Sequence, residues 1–173
     1  LDQVKPVNAI ERKELDQVPF DEKEFRLQSG LLPGVPFLKN ELTPVVQVWR
    51  LPSLTVNAIQ ASSRAQAGNI INDFAWAKVT IRLVADLDPN KVLKQLETYL
   101  NQKLPWGLEL KLHVEACNSA WSTDAKGPVF DAALEALKEG YGHAPYKIGC
   151  GGSIPFVKPF AEALGGAPAL LIG

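Results

Sequence analysis

Two features of this sequence carry side chains and backbone suited to chemistry. The first is Gly149-Cys-Gly-Gly-Ser-Ile-Pro155, which lies between an expected strand and an expected helix. Glycines there let backbone N–H groups come close to a ligand, and a helix start favours negative charge. The functional reading is an anion-binding turn. The plain reading is a tight strand-to-helix connection with Ser153 near the cap, and a glycine-rich turn alone does not decide between the two. The second feature is Arg82. It is either a solvated strand charge or a fork-shaped donor that binds a carboxylate through two hydrogen bonds.

Other chemistries find little support. The turn is neither G-x-S-x-G nor G-x-x-x-x-G-K-[ST], and the two histidines, His113 and His143, fall in an alternating strand and in a loop. Ser153 and Cys150 therefore lack the positioned base that a nucleophile needs. No H-x-D, H-E-x-x-H or close cluster of histidine and acidic residues occurs, so a hydrolytic metal must be held elsewhere. Cys117 and Cys150 read as small buried apolar side chains, and Trp49, Trp76, Trp106 and Trp121 as core or interface anchors.

The elements that must position Arg82 and the glycine turn can be read from periodicity. Residues 1–44 open with charges and continue into a Gly/Pro-rich stretch, which predicts one or two short helices and then loop. The texture changes at Val45. Leu54, Val56 and Ala58 alternate with Thr55 and Asn57 as a first strand with one buried face. Ala61 to Asn69, small and polar, reads as a long hairpin connection. In a second strand over 75–85, Ala77, Val79, Ile81 and Leu83 share one face and Lys78, Thr80 and Arg82 the other, so Arg82 points away from the core. Asp88-Pro89 starts a helix whose apolar stripe is Val92, Leu93, Leu96, Tyr99 and Leu100, and Pro105-Trp-Gly107 ends it. The alternation Leu108, Leu110, Leu112, Val114, Ala116 predicts a third strand.

Residues 45–116 are thus expected to form an α+β unit, an antiparallel sheet covered on one face by a helix. Beyond Cys117 the pattern alternates between helix and strand: a helix around Val129 to Leu137 stopped by Gly140, a short strand at 146–150, a helix at 155–164 and a buried apolar strand at 169–172. That grammar belongs to an α/β layer, so a domain boundary is expected near Cys117.

With 18 basic against 19 acidic residues and a net charge of −1, the chain offers no electrostatic reason to bind nucleic acid or an anionic membrane. Its apolar runs are far shorter than the roughly 20 residues of a membrane span. Two lone cysteines and no signal-peptide pattern lead us to expect a cytoplasmic location. Because both ends fall inside structured-looking stretches, we expect a fragment.

The order of the small motifs resembles metallopeptidase family twenty, the zinc exopeptidases that include carnosine dipeptidases, aminoacylases and glutamate carboxypeptidases. The carriers are Phe74-Ala-Trp-Ala-Lys-Val-Thr-Ile-Arg-Leu-Val84, Asp88-Pro89, Pro105-Trp-Gly107, Trp121-Ser-Thr-Asp124, Gly127-Pro128, Tyr141-Gly142 and Gly151-Gly-Ser-Ile-Pro155. The resemblance runs from about residue 45 to the end and is loose before that.

It implies a ferredoxin-like lid that makes homodimer contacts, inserted in an α/β catalytic domain with two bridged zinc ions. On that frame residues 1–44 are a leading segment of the lid region, 45–116 the lid, and 117–173 part of the catalytic domain. By the same resemblance Arg82, Ser153 and the backbone N–H of Gly152 grip the substrate's carboxylate, and Asn69 reaches across the dimer. The family's H-x-D motif, bridging aspartate, Glu-Glu pair and lid histidine have no counterpart here, and Asn72 replaces a frequent proline. The resemblance therefore implies a hydrolase of dipeptides, peptides or N-acyl amino acids in which this chain alone is inactive. The competing reading is a non-catalytic module for dimerisation or for binding a small anion. A phosphate-binding reading ranks last, since no lysine follows the turn in P-loop register.

Overall fold

The computed structural model describes residues 3–38, 41–150, 154 and 156–172. The early charged region does fold into two short helices, each begun by a side-chain acceptor. Asn8 Oδ1 accepts the N–H groups of Ile10 (3.0 Å) and Glu11 (2.9 Å) at the head of α1 (Ala9–Leu15). Asp21 Oδ1 does the same for Lys23 and Glu24 at the head of α2 (Glu22–Ser29). Gly30, at φ 66°, closes α2 in the left-handed conformation that glycine adopts without steric cost. The loop after α2 folds back through Phe37, which stacks edge-on against Phe25 at 5.8 Å while the Arg26 guanidinium sits 4.2 Å from its ring centre.

A third helix, α3 (Pro44–Arg50), stands where the sequence reading had no helix. Thr43 at the cap and Pro44 in the first turn were the available signal. The β-branched Val45, Val46 and Val48 weakened it, because they lose side-chain freedom in a helix. Tertiary contacts compensate. Val46 is buried, Arg50 Nε pairs with Glu11 Oε1 of α1 at 3.1 Å, and Gln47 Nε2 donates to the Leu42 carbonyl at 2.9 Å.

The sheet is an antiparallel pair, β1 (Ser53–Gln60) and β2 (Trp76–Arg82), joined by a connection containing one 3₁₀ turn at Arg64–Gln66. The ladder runs Ser53↔Arg82, Leu54↔Ile81, Thr55↔Thr80, Val56↔Val79, then jumps to Ala58↔Lys78, Ile59↔Ala77 and Gln60↔Trp76. Asn57 is the extra residue of a bulge. The expected face of Leu54, Val56 and Ala58 is corrected accordingly: beyond the bulge the parity switches, Ala58 turns to the side of Lys78 and Ile59 joins Leu54 and Val56. The slip keeps one face apolar along its whole length.

α4 (Pro89–Lys103) begins as expected, with Asp88 Oδ1 accepting from Asn90 N–H at 2.9 Å. It borders one end of the apolar face, where Leu54, Ile81, Leu83 and Leu87 line a shallow open groove with Val92 and Gln95. The far end, at Ile59, stays 76% exposed. α5 (Pro128–Tyr141) stops at Gly142 rather than at Gly140, because Gly142 is the residue in the left-handed conformation (φ 75°) and its N–H reaches the Lys138 carbonyl at 2.9 Å. α6 (Val157–Ala163) is two turns long, shorter than expected over 155–164.

The α+β class holds, with six α-helices and one two-stranded sheet among the described residues. Three strand expectations do not. Residues 108–116, 146–150 and 169–172 run without a hydrogen-bonded partner strand. Periodicity reports which side chains share a face, but a strand exists only through a neighbour that takes its N–H and C=O groups. The 169–172 run, expected as buried, leaves Leu171 and Ile172 exposed.

Burial is sparse throughout. Among the described residues the buried apolar side chains are Val46, Val84, Leu87, Phe130 and Val157, and the chain exposes 13968 Å². A self-contained globule of this mass would expose about 8,300 Å². Among the described residues no helix is long and apolar enough to cross a membrane.

Candidate functional site

Arg82 is the last residue of β2, set opposite Ser53 at the end of the ladder, and its side chain is exposed. Strand alternation puts it with Lys78 and Thr80 on the face opposite the groove that Ile81 and Leu54 share with α4. The polar face therefore presents two cations and a hydroxyl along one strand. Arg82 is not an unpartnered charge.

Lys78 is neutralised by a distant residue. Its ammonium lies 2.6 Å from Glu115 Oε2, and that hydrogen bond, reinforced by the Lys78 charge, holds the Glu115 carboxyl below its ordinary range. The segment expected as a third strand thus lies beside β2 on its polar side, tied by side chains. No alternation pattern announces which charge it meets.

Asn69 sits exposed in the connection between β1 and β2. That connection leaves the ladder at the Gln60↔Trp76 end, six residues along β2 from Arg82, a separation of about 20 Å at ~3.4 Å per residue. Asn69 and Arg82 are thus anchored at opposite ends of the hairpin. Ser153 and Gly152 lie outside the described residues. The helix that follows them, α6, starts at Val157 with Phe156 as its cap residue and no side-chain cap bond. A helix of two turns has only a weak dipole.

The cysteines correct an expectation: Cys117 and Cys150 are both free and exposed. Cys117 Sγ lies 3.8 Å from Asn90 Oδ1, beside the head of α4, so it borders a polar helix start and is not in the core. Of the tryptophans, Trp106 is 95% exposed and holds a left-handed φ of 55°, which places it outside any core of this chain. Among the described residues no group of three or more His, Cys, Asp or Glu side chains is placed to hold a metal ion.

Sequence reasoning missed two positions. Asn57 projects from the bulge, a device that re-aims one side chain of a strand; the break in alternation, apolar at 54, 56 and then 59, was its signal. Gly149, read only as the start of the glycine-rich turn, touches Trp49 of α3, and nothing local in the sequence announces a contact between residues so far apart.

Residues 7–108 match the family model described as the peptidase dimerisation domain. The cysteinylglycine-S-conjugate dipeptidase of Corynebacterium striatum is 31% identical over 139 residues, covering 79% of this chain and 30% of that protein. The Cys-Gly metallodipeptidase DUG1 of Saccharomyces cerevisiae is 27% identical over 172 residues, covering 97% of this chain and 35% of its own length. Human carnosine dipeptidase 1 superposes with a TM-score of 0.78 at 23% identity, over 95% of this chain and 35% of that one, a likeness of fold. The chain spans about a third of the length of the curated relatives it matches. With the matched residues running from α1 past α4 and including the whole hairpin that carries Arg82, the chain belongs to the peptidase dimerisation domain family.

Proposed function

We propose that the whole protein to which this chain belongs is a metal-dependent exopeptidase or amidohydrolase acting on small peptides, and that this chain supplies a carboxylate-binding arginine and a self-association surface. The observation that carries the proposal is the placement of Arg82. It closes β2 on the polar face of a hairpin, within a domain whose relatives are dipeptidases by name. A planar guanidinium at an exposed strand end suits bidentate contact with the free C-terminal carboxylate of a dipeptide or with the carboxylate of an N-acyl amino acid. In this reading Ser153 and the Gly152 N–H complete the carboxylate grip. Asn69, anchored at the other end of the hairpin, serves the site of a second copy. The metal, which we expect to be a pair of zinc ions, is held by residues outside this chain, and residues 117–173 belong to the domain that holds it. The expected location is the cytoplasm.

The test is hydrolysis by the full-length protein, with and without added zinc, of dipeptides, N-acyl amino acids and C-terminally amidated peptides. Zinc-dependent release of amino acids from the first or second class, with amidated peptides resistant, supports the proposal. Absence of hydrolysis in all three, with self-association retained, assigns the chain instead to a non-catalytic dimerisation module.

A further inference from the structure

Residues 108–116 alternate as a strand should, yet among the described residues their backbone makes a single hydrogen bond, from Leu108 N–H to the Pro105 carbonyl at 3.1 Å. Two side-chain contacts fix where the segment lies. Glu115 meets Lys78 of β2 at 2.6 Å, and two residues later Cys117 Sγ lies 3.8 Å from Asn90 Oδ1 at the head of α4. That head stands at the Arg82 end of β2, where Leu87 and Val92 line the groove with Leu54 and Ile81. The segment therefore advances in the same direction as β2. Glu115 and Lys78 both belong to the polar sets of their alternations, which puts Leu110, Leu112 and Val114 on the side of Val79 and Ile81.

Two segments that run the same way, face the same way and are joined through a helix have the form of a β-α-β unit within one sheet. β2 is bonded to β1 on one edge, so its other edge and both edges of 108–116 carry unpaired N–H and C=O groups. Neighbouring strands stand about 4.8 Å apart and bond directly. These two do not bond, and the long flexible stem of lysine lets the ion pair span twice that spacing. We propose that one further strand lies between β2 and residues 108–116, bonded to both, and that it comes from a part of the same polypeptide outside residues 1–173. The chain spans about a third of the length of its curated relatives, which leaves polypeptide to supply it. A slot with a strand edge on each side favours an occupant from the same chain, because a separate chain would lose translational freedom on entering it and a tethered strand does not.

The test uses the full-length protein. Thr80→p-benzoylphenylalanine, irradiated and digested, is expected to attach to a peptide of the same molecule from outside residues 1–173, besides its ladder partner Thr55 on β1. Attachment to 108–116 would mean that this segment closes directly on β2. Attachment to a second copy would mean that the strand is exchanged between protomers, and attachment to β1 alone that the edge is bare. Each of these three results overturns the proposal. Should that variant not fold, two further readouts stand. In the parent protein, amide hydrogen exchange over 108–116 is expected to be at least about a hundredfold slower than over the connection 61–71, as for a paired strand; equal rates overturn the pairing. Lys78→Cys combined with Glu115→Cys should resist disulfide formation, since two strand spacings, about 9.6 Å, exceed the roughly 7 Å that a disulfide bridges. Ready oxidation of that folded pair would leave no room for a strand between them.

Discussion

The Lys78 ammonium lies 2.6 Å from the Glu115 carboxylate, 37 residues further along the chain, and the pair fastens residues 108–116 to β2 where no backbone ladder does. Because Lys78 depresses the Glu115 pKa, the sign of its pH effect is fixed. The folded state gains from the ionised carboxylate above the ordinary range near 4.5 and loses that gain as pH falls through the lower folded value. Both groups face water, so the effect is small and screened by salt. Melting curves of Glu115→Gln and the parent should differ at pH 7 in low salt and converge near pH 3; a difference that grows on acidification would contradict the pairing.

Asp88 is the cap of α4, accepting from Asn90 at 2.9 Å and more loosely from Lys91 at 3.4 Å. Asp88→Ala removes both bonds and should destabilise the fold by about 1 kcal/mol, whereas Asp88→Asn should retain most of the stability. Urea denaturation reads this as a lower midpoint with an unchanged slope. Equal losses in the two variants would mean that the charge, and not the capping geometry, carries the effect.

Arg82→Ala in the full-length protein should lower kcat/KM for a substrate with a free carboxylate by about 1.5 to 3 kcal/mol, the range of a lost charged hydrogen bond. Lysine at this position should recover only part, since an ammonium lacks the planar fork. Steady-state kinetics decide the point, and parental values in Arg82→Ala remove the residue from the site.

Ile59 stands on the apolar face beyond the reach of α4, paired with Ala77 and 76% exposed. If a second copy covers this face, Ile59→Asp should weaken self-association of the full-length protein at least tenfold, about 1.4 kcal/mol. Ala58→Ser, on the opposite face, should leave it unchanged. Sedimentation equilibrium measures both. A monomeric parent, or a dimer indifferent to Ile59→Asp, counts against that surface.

Much of this was legible in the sequence where a residue acts on its own neighbours. Asp88-Pro89 announced α4 because a cap bonds within three residues; Asn8 and Asp21 cap the shorter helices by the same local bond, although the reading of 1–44 named neither. The side of β2 that bears Arg82 followed from alternation alone. What escaped was decided at a distance. The bulge at Asn57 shows in the sequence only as a break in alternation and is fixed by its pairing with β2, α3 stands on its contact with Glu11, and the fit of Gly149 to Trp49 is a meeting of residues a hundred apart. The alternation over 108–116 predicted a third strand with one buried face, but the segment has no backbone partner and Leu108, Leu112 and Val114 stay exposed. The family's order of motifs identified the domain well before any contact did, because that order reflects a whole fold and not one local preference.

The openness of the chain has a calorimetric consequence. A polypeptide that presents 13968 Å² to water, where a compact domain of its mass presents about 8,300 Å², has less apolar area to uncover on melting, so its heat-capacity step and its urea response are shallower. Any partner surface that covered Ile59, Trp106 and Ile172 would add to the area uncovered on melting and steepen the transition.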